Sequence, residues 1–296
     1  MRWGDMRRSD NIEDRSGLGG GGFPMGGGGM RIGLGGIIVA LIASVLFGVN
    51  PLDILVGEQS APPTAPPTAP SSQAAPGRPS APSANPAKDM VAHVLGDTED
   101  VWGAVFRQLG RQYEKPTLVV YTGQVRSACG FASAAVGPFY CPGDRKLYLD
   151  TSFFDMLARR FGAPGDFAQA YVVAHEVGHH VQNLLGTMNE FDRMGQRVDE
   201  RRRNQLSIRL ELQADCYAGV WGHFANRRNL LEAGDLEEGM RAAAAVGDDQ
   251  IMKRTQGYVV PEAFTHGSAE QRTRWFRRGL ESGDPRQCDA FAAQQP

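Results

Sequence analysis

The sequence predicts an α+β domain, a small β-sheet packed on several helices. Three observations predict it. The stretch TLVVYTGQV, from Thr117, is rich in β-branched residues, and GPFYCPGDRKLYLD, from Gly137, alternates around a Pro142-Gly143-Asp144 turn. Two later stretches, 166–186 and 204–228, carry apolar residues at three- and four-residue spacing. From about Lys88 onward roughly 200 residues remain, enough for one well-cored domain.

Ahead of that domain lie three segments. Residues 1–31, MRWGDMRRSDNIEDRSGLGGGGFPMGGGGMR, are charged and then glycine-rich, which predicts a disordered tail. Ile32 to Val49, IGLGGIIVALIASVLFGV, contains no charge over 18 residues, the lower limit for a transmembrane helix. A cleaved signal peptide is the rival, with a shorter apolar core and a small-x-small site. Arg15 and Arg31 precede this span, and no Lys or Arg occurs between Asn50 and Gly77. The distribution predicts a single-pass inner-membrane protein with a cytoplasmic N-terminus and its domain in the periplasm or outside the cell. Residues 50–88 form a Pro/Ala-rich spacer, leaving 89–296 as the folded domain. The net charge of −2 and the lack of a basic stripe with interleaved aromatics argue against nucleic acid as a partner.

Within the domain a helix is expected from about Asp97, followed by the strand at 117–125 and the hairpin at 137–150. The next helix has Asp166 as a candidate N-cap and Gly186 as its terminating glycine. A second long helix carries Leu206, Leu210, Ala214, Tyr217, Trp221 and Phe224 on one stripe. Further helix is expected at 230–245 and in GSAEQRTRWFRRGLESG. Four cysteines in an exported domain suggest two disulfides, Cys129–Cys141 and Cys216–Cys288. A structural zinc site made of the four is the alternative, disfavoured because no C-x-x-C spacing occurs.

The functional signal is HEVGH, residues 175–179, in an otherwise apolar helix. Four residues turn a helix by about 400° and advance it about 6 Å, so His175 and His179 leave one face within reach of one metal ion. Glu176 stands about 100° round the axis, placed to take a proton from water rather than to bind the metal. Zinc would lower the pKa of such a water towards about 7, the requirement for hydrolysis near neutrality. The extended pattern H-E-x-x-H-x-x-G-x-x-H fails, because Gln182 and Leu185 occupy its later positions. ELQAD supplies the alternative: Glu211 as third ligand, with Asp215, also four apart, accepting a hydrogen bond from a ligand imidazole. The bland reading of these acids is a solvated face, but Leu212, Ala214, Cys216 and Tyr217 surround them.

The other histidines divide. His180 is turned away from His179 and is expected to donate to a backbone carbonyl. His223 is expected to be structural and His93 to be exposed. His266, in FTHGSAEQR, is assigned to stabilise the oxyanion of a tetrahedral intermediate. Arg272, outside the ligand set, or a tyrosine assists it at the oxyanion, with a bystander histidine beside a helix cap as the rival.

With these residues in place, the chain resembles the bacterial neutral zinc metallopeptidase family. The likeness runs through MRWGDMRRSDNIEDRSG, the apolar span, CGFASAAVGPFYCPGDRKLYLD, GDFAQAYVVAHEVGHHVQNLLG, ELQADCYAGVW and FTHGSAEQR. It implies a zincin-like fold of the glutamate-ligand type, a membrane anchor, Zn2+ bound by His175, His179 and Glu211, and Glu176 as general base. Protein or peptide is then the expected substrate. Two alternatives accompany it: a catalytically silent zinc-containing envelope binding module, and a zinc amidohydrolase acting on non-protein amides.

Overall fold

A computed structural model describes residues 1–18 and 85–294. The predicted span at 32–49 and nearly all of the spacer lie outside the described residues. Among the described residues no helix is long and apolar enough to cross a membrane.

The chain opens with a 3-10 turn at Trp3–Asp5 and strand β1 (Ile12–Asp14). Helix α1 (Pro86–Gln108) follows, capped by the Asn85 side chain, which accepts from the Ala87 N–H. Pro86 stands at the start, where an absent N–H breaks no helical bond. The helix therefore begins before Asp97. Strands β2 (Thr117–Tyr121), β3 (Gln124–Ser127), β4 (Gly130–Ser133), β5 (Phe139–Cys141) and β6 (Lys146–Asp150) come next. Then come α2 (Ser152–Arg159), α3 (Asp166–Leu185), α4 (Thr187–Gly195), α5 (Glu200–Arg227), α6 (Asp235–Ala245), α7 (Asp248–Thr255) and α8 (Ala269–Ser282). The architecture is α+β, as expected.

The main sheet has the order β1-β2-β6-β5; β1, β2 and β6 are parallel and β5 runs antiparallel to β6. Strands β3 and β4 make a separate hairpin. The disulfide Cys129–Cys141 ties this hairpin to β5, and Cys216–Cys288 ties α5 to the turn after α8. The expected hairpin at 137–150 is β5–β6.

Residues 1–18 depart from the expectation of a disordered tail. Their β1 adds a parallel edge to β2, pairing Ile12 with Leu118 and Asp14 with Val120. Glu99 of α1, its side chain fully buried, receives Arg7 Nη2 at 2.7 Å, Ser9 Oγ at 2.6 Å and Asn11 Nδ2 at 2.8 Å. Lys115 Nζ lies 3.3 Å from the same carboxylate. Met1 and Met6 are buried against the core. The Met1 ammonium lies 2.9 Å from Asp166, 3.1 Å from Glu232 and 3.2 Å from Asp235. Burial opposes that charge, but the three carboxylates outweigh it and raise its pKa to about 10. Gly96 shows why α1 carries a glycine mid-helix. A Cβ there would lie 2.1 Å from the Arg7 carbonyl oxygen, so only glycine lets the two backbones meet.

Composition suggested disorder because hydrophilic residues bury little apolar surface; here the charges themselves are paired. Residues 1–18 and 85–294 thus form one body. The expectation of an exposed His93 is corrected with it. The N-terminal segment covers it, and its Nδ1 lies 2.7 Å from the Met6 carbonyl oxygen.

Candidate metal centre and active site

Helix α3 supplies the H-E-x-x-H face, buried along most of its length and ended by Gly186 at φ 90°. Its predicted cap is shifted: Gly165 is the capping residue and Asp166 the first helical one. Helix α5 crosses beside it, and Gly178 sets how closely. A Cβ at Gly178 would stand 2.8 Å from the Ala214 carbonyl oxygen and 3.1 Å from its Cα. The residue inside HEVGH without a side chain therefore lets α5 approach until Glu211 reaches the two histidines.

Ligand atoms of His175, His179 and Glu211 all lie within 4.8 Å of one another, and all three residues are buried. His175 Nε2 is 3.1 Å from Glu211 Oε2, and His179 Nε2 is 3.5 Å from Glu211 Oε1. Each ring is held from behind. His175 Nδ1 donates to Asp215 at 2.8 Å, and His179 Nδ1 donates to Gln182 Oε1 at 2.9 Å. Both Nε2 lone pairs are thereby aimed at the Glu211 carboxylate, and two imidazoles with one carboxylate suit zinc. The donor set fits the ion that the motif implies.

The charges are consistent with that use. Burial opposes a charge on His175, but Asp215 and Glu211 outweigh it and push its pKa up to about 9. Burial likewise opposes ionised Glu211, yet His179 and His175 hold it well below the usual carboxylate range. These neighbours make a site that attracts either protons or a cation. Glu176 differs: burial dominates and its pKa is raised. Among the described residues no group donates a hydrogen bond to its carboxylate.

Behind the ligands, Asp215 also receives Tyr171 Oη at 2.5 Å, Arg272 Nε at 2.8 Å and Arg272 Nη2 at 3.0 Å. Arg272 is itself buried, and Nη1 donates to the Val246 carbonyl oxygen. Its guanidinium is therefore committed to Asp215, which fits a supporting place and removes it as an oxyanion donor. His266 is partly buried with Nδ1 3.0 Å from Asp248 Oδ1, while its buried Nε2 has no partner. Burial opposes its charge, but Asp248 and then Glu211 outweigh it and raise its pKa.

The family described as "Putative neutral zinc metallopeptidase" matches residues 1–291. The chain belongs to this family. It is 45% identical over 294 residues to the uncharacterized protein YpfJ of Escherichia coli K12, covering 98% of this chain and 99% of that one. It is also 46% identical over 201 residues to the uncharacterized protein Rv2575 of Mycobacterium tuberculosis H37Rv, covering 64% of this chain and 67% of that one. No solved structure matches.

In this family member the remaining histidines follow their expected roles. His180 Nε2 donates to the Glu114 carbonyl oxygen at 2.6 Å, so its Nδ1 accepts from Tyr140 Oη at 3.0 Å. His223 Nδ1 donates to the Leu280 carbonyl oxygen at 2.9 Å. Three contributors escaped the sequence reading: Tyr171, Gln182 and Asp248. Gln182 follows His179 by three residues, a helical-neighbour spacing that would have revealed it. Tyr171 likewise precedes His175 by four. Asp248 had no such signal, since it opens α7 and meets the His266 segment, 18 residues on, only through the fold.

Proposed function

We propose that the chain is a zinc-dependent peptidase. His175, His179 and Glu211 would hold the ion, which when bound lowers the pKa of water and polarises a carbonyl. Glu176 takes the proton of the attacking water and passes it to the departing amine. His266 offers Nε2–H to the carbonyl oxygen as negative charge develops there, with Asp248 fixing the ring so that the proton faces the substrate. Asp215 keeps His175 in the tautomer that leaves Nε2 free.

The observation that carries this reading is Glu176, its pKa raised by burial, beside three converged ligand groups. A metal-binding scaffold without chemistry has no use for a carboxylate with a raised pKa there. Strand β6 is internal, between β2 and β5, and β5 is the edge of the main sheet that contacts α3. We assign the substrate strand to that edge.

The proposal also places residues 1–18 and the peptidase domain together outside the cytoplasm, where two disulfides persist. Any membrane contact through 32–49 then leaves both flanking parts on one side. The test is zinc analysis of the full chain, with mass-spectrometric detection of new peptide termini from a protein digest. Wild type should create them and Glu176→Gln, with zinc retained, should not. Equal cleavage by both would refute the mechanism.

A further inference from the structure

A cleft of about 600 Å³ opens between the first half of α5 and the first turn of α8. Its lining includes Arg202, Arg209 and Arg274, with Glu270 as the one carboxylate among the lining residues. Arg202 donates to Gln205 and Arg209 to the carbonyl oxygens of Ala290 and Ala293. Among the described residues none of the three forms an ion pair.

The cleft adjoins the candidate active site through two chain segments. Ile208, on its wall, lies three residues before Glu211, about 4.5 Å along the same helix. Ser268, on the opposite wall, follows the His266–Gly267 segment directly. A Cβ on Gly267 would lie 3.3 Å from Ile208 and 3.4 Å from Leu212, so the two walls meet beside His266.

We propose that this cleft is a subsite for acidic residues of the peptide substrate, whose carboxylates pair with Arg202, Arg209 and Arg274. Guanidinium matches carboxylate in charge and in its paired-donor geometry, and a cleft favours that pairing over one on open surface. The chain would therefore select acidic peptides. This rests on the peptidase reading.

Binding tests it separately from cleavage. Zinc-loaded full chain carrying Glu176→Gln is titrated with short fluorescent peptides containing Asp, and with counterparts containing Asn. Acidic peptides should bind about tenfold tighter, and Arg202→Glu with Arg274→Glu should abolish or invert the preference. Equal affinity for the two peptides, no binding of either, or a preference that survives the charge reversal would each overturn the subsite. Stronger competition from phosphatidylglycerol vesicles than from acidic peptide would overturn it too, in favour of a lipid surface. Cleavage without acidic preference sinks the subsite alone. Acidic preference in binding, with no cleavage by wild type, sinks the peptidase reading and leaves the subsite standing.

Discussion

Glu99 and Glu176 are both glutamates buried on helices, and their surroundings are opposite. Glu99 is approached by Arg7, Ser9, Asn11 and Lys115, which join the N-terminal segment to α1. Burial raises the pKa of Glu176, opposed by the fields of His179, His175 and Arg272 and aided by Glu211. A saturated carboxylate holds structure together. One whose charge burial disfavours costs stability and persists for its chemistry. The same substitution at the two positions should therefore act in opposite ways.

The largest effect is expected at Glu176. Glu176→Gln should lower turnover by about 10²–10⁴, the usual weight of a general base. Unfolding of the metal-free protein should occur at the same or a higher denaturant midpoint, because a neutral amide is easier to bury. A lower midpoint with turnover intact would place Glu176 in the structural class with Glu99.

Next comes His180, on the same helix as the ligands but buried as a neutral ring. Burial, opposed weakly by the Glu114 carbonyl, lowers its pKa from 6.5 to about 4. The unfolded chain thus binds more protons between these values. The contribution of His180 is complete above pH 6.5 and is lost as pH falls towards 4, by about 3 kcal/mol. Urea unfolding of metal-free wild type should lose that much more than His180→Gln over this interval. Parallel pH profiles would mean that the ring is not held neutral.

Glu99→Gln should cost about 2 kcal/mol, the loss of charge-assisted bonds at a site where Arg7 and Lys115 are partly exposed. Zinc content and turnover per folded molecule should not change. If zinc content falls instead, the two networks are coupled through α1 and the comparison fails.

The two regions also differed in how far the sequence disclosed them. The metal centre was legible because its spacing is local: His175, Glu176 and His179 lie within one turn of α3, and Glu211 and Asp215 repeat the interval on α5. Both disulfide pairings and the β5–β6 hairpin were legible from proximity, parity and turn residues. The contacts between Glu99 and the N-terminal segment span about ninety residues of sequence, and no periodicity connects them. Hydrophilic composition pointed to disorder there, because composition counts apolar burial and not paired charge. The one local trace was Gly96, a helix-weakening residue in the middle of α1, whose reason is a backbone approaching from elsewhere.

The smallest effect sharpens the boundary between holding structure and serving chemistry within the metal centre itself. Gln182 Oε1 accepts from His179 Nδ1, while its Nε2 donates to the Leu210 carbonyl oxygen at 2.6 Å and lies 3.1 Å from Gln213 Oε1. The side chain therefore joins α3 to α5 and orients a ligand at once. Gln182→Met keeps the length and volume but provides no strong acceptor for the ring. Without that acceptor His179 exchanges tautomers, and the form with its proton on Nε2 cannot bind metal. Zinc affinity should weaken by about tenfold, at the low end for outer partners of ligand histidines. Competition against a chelator of known affinity at pH 7 measures it. A Gln182→Met protein that unfolds more readily but binds zinc unchanged would assign the side chain to the helix contact and leave His179 oriented by packing alone.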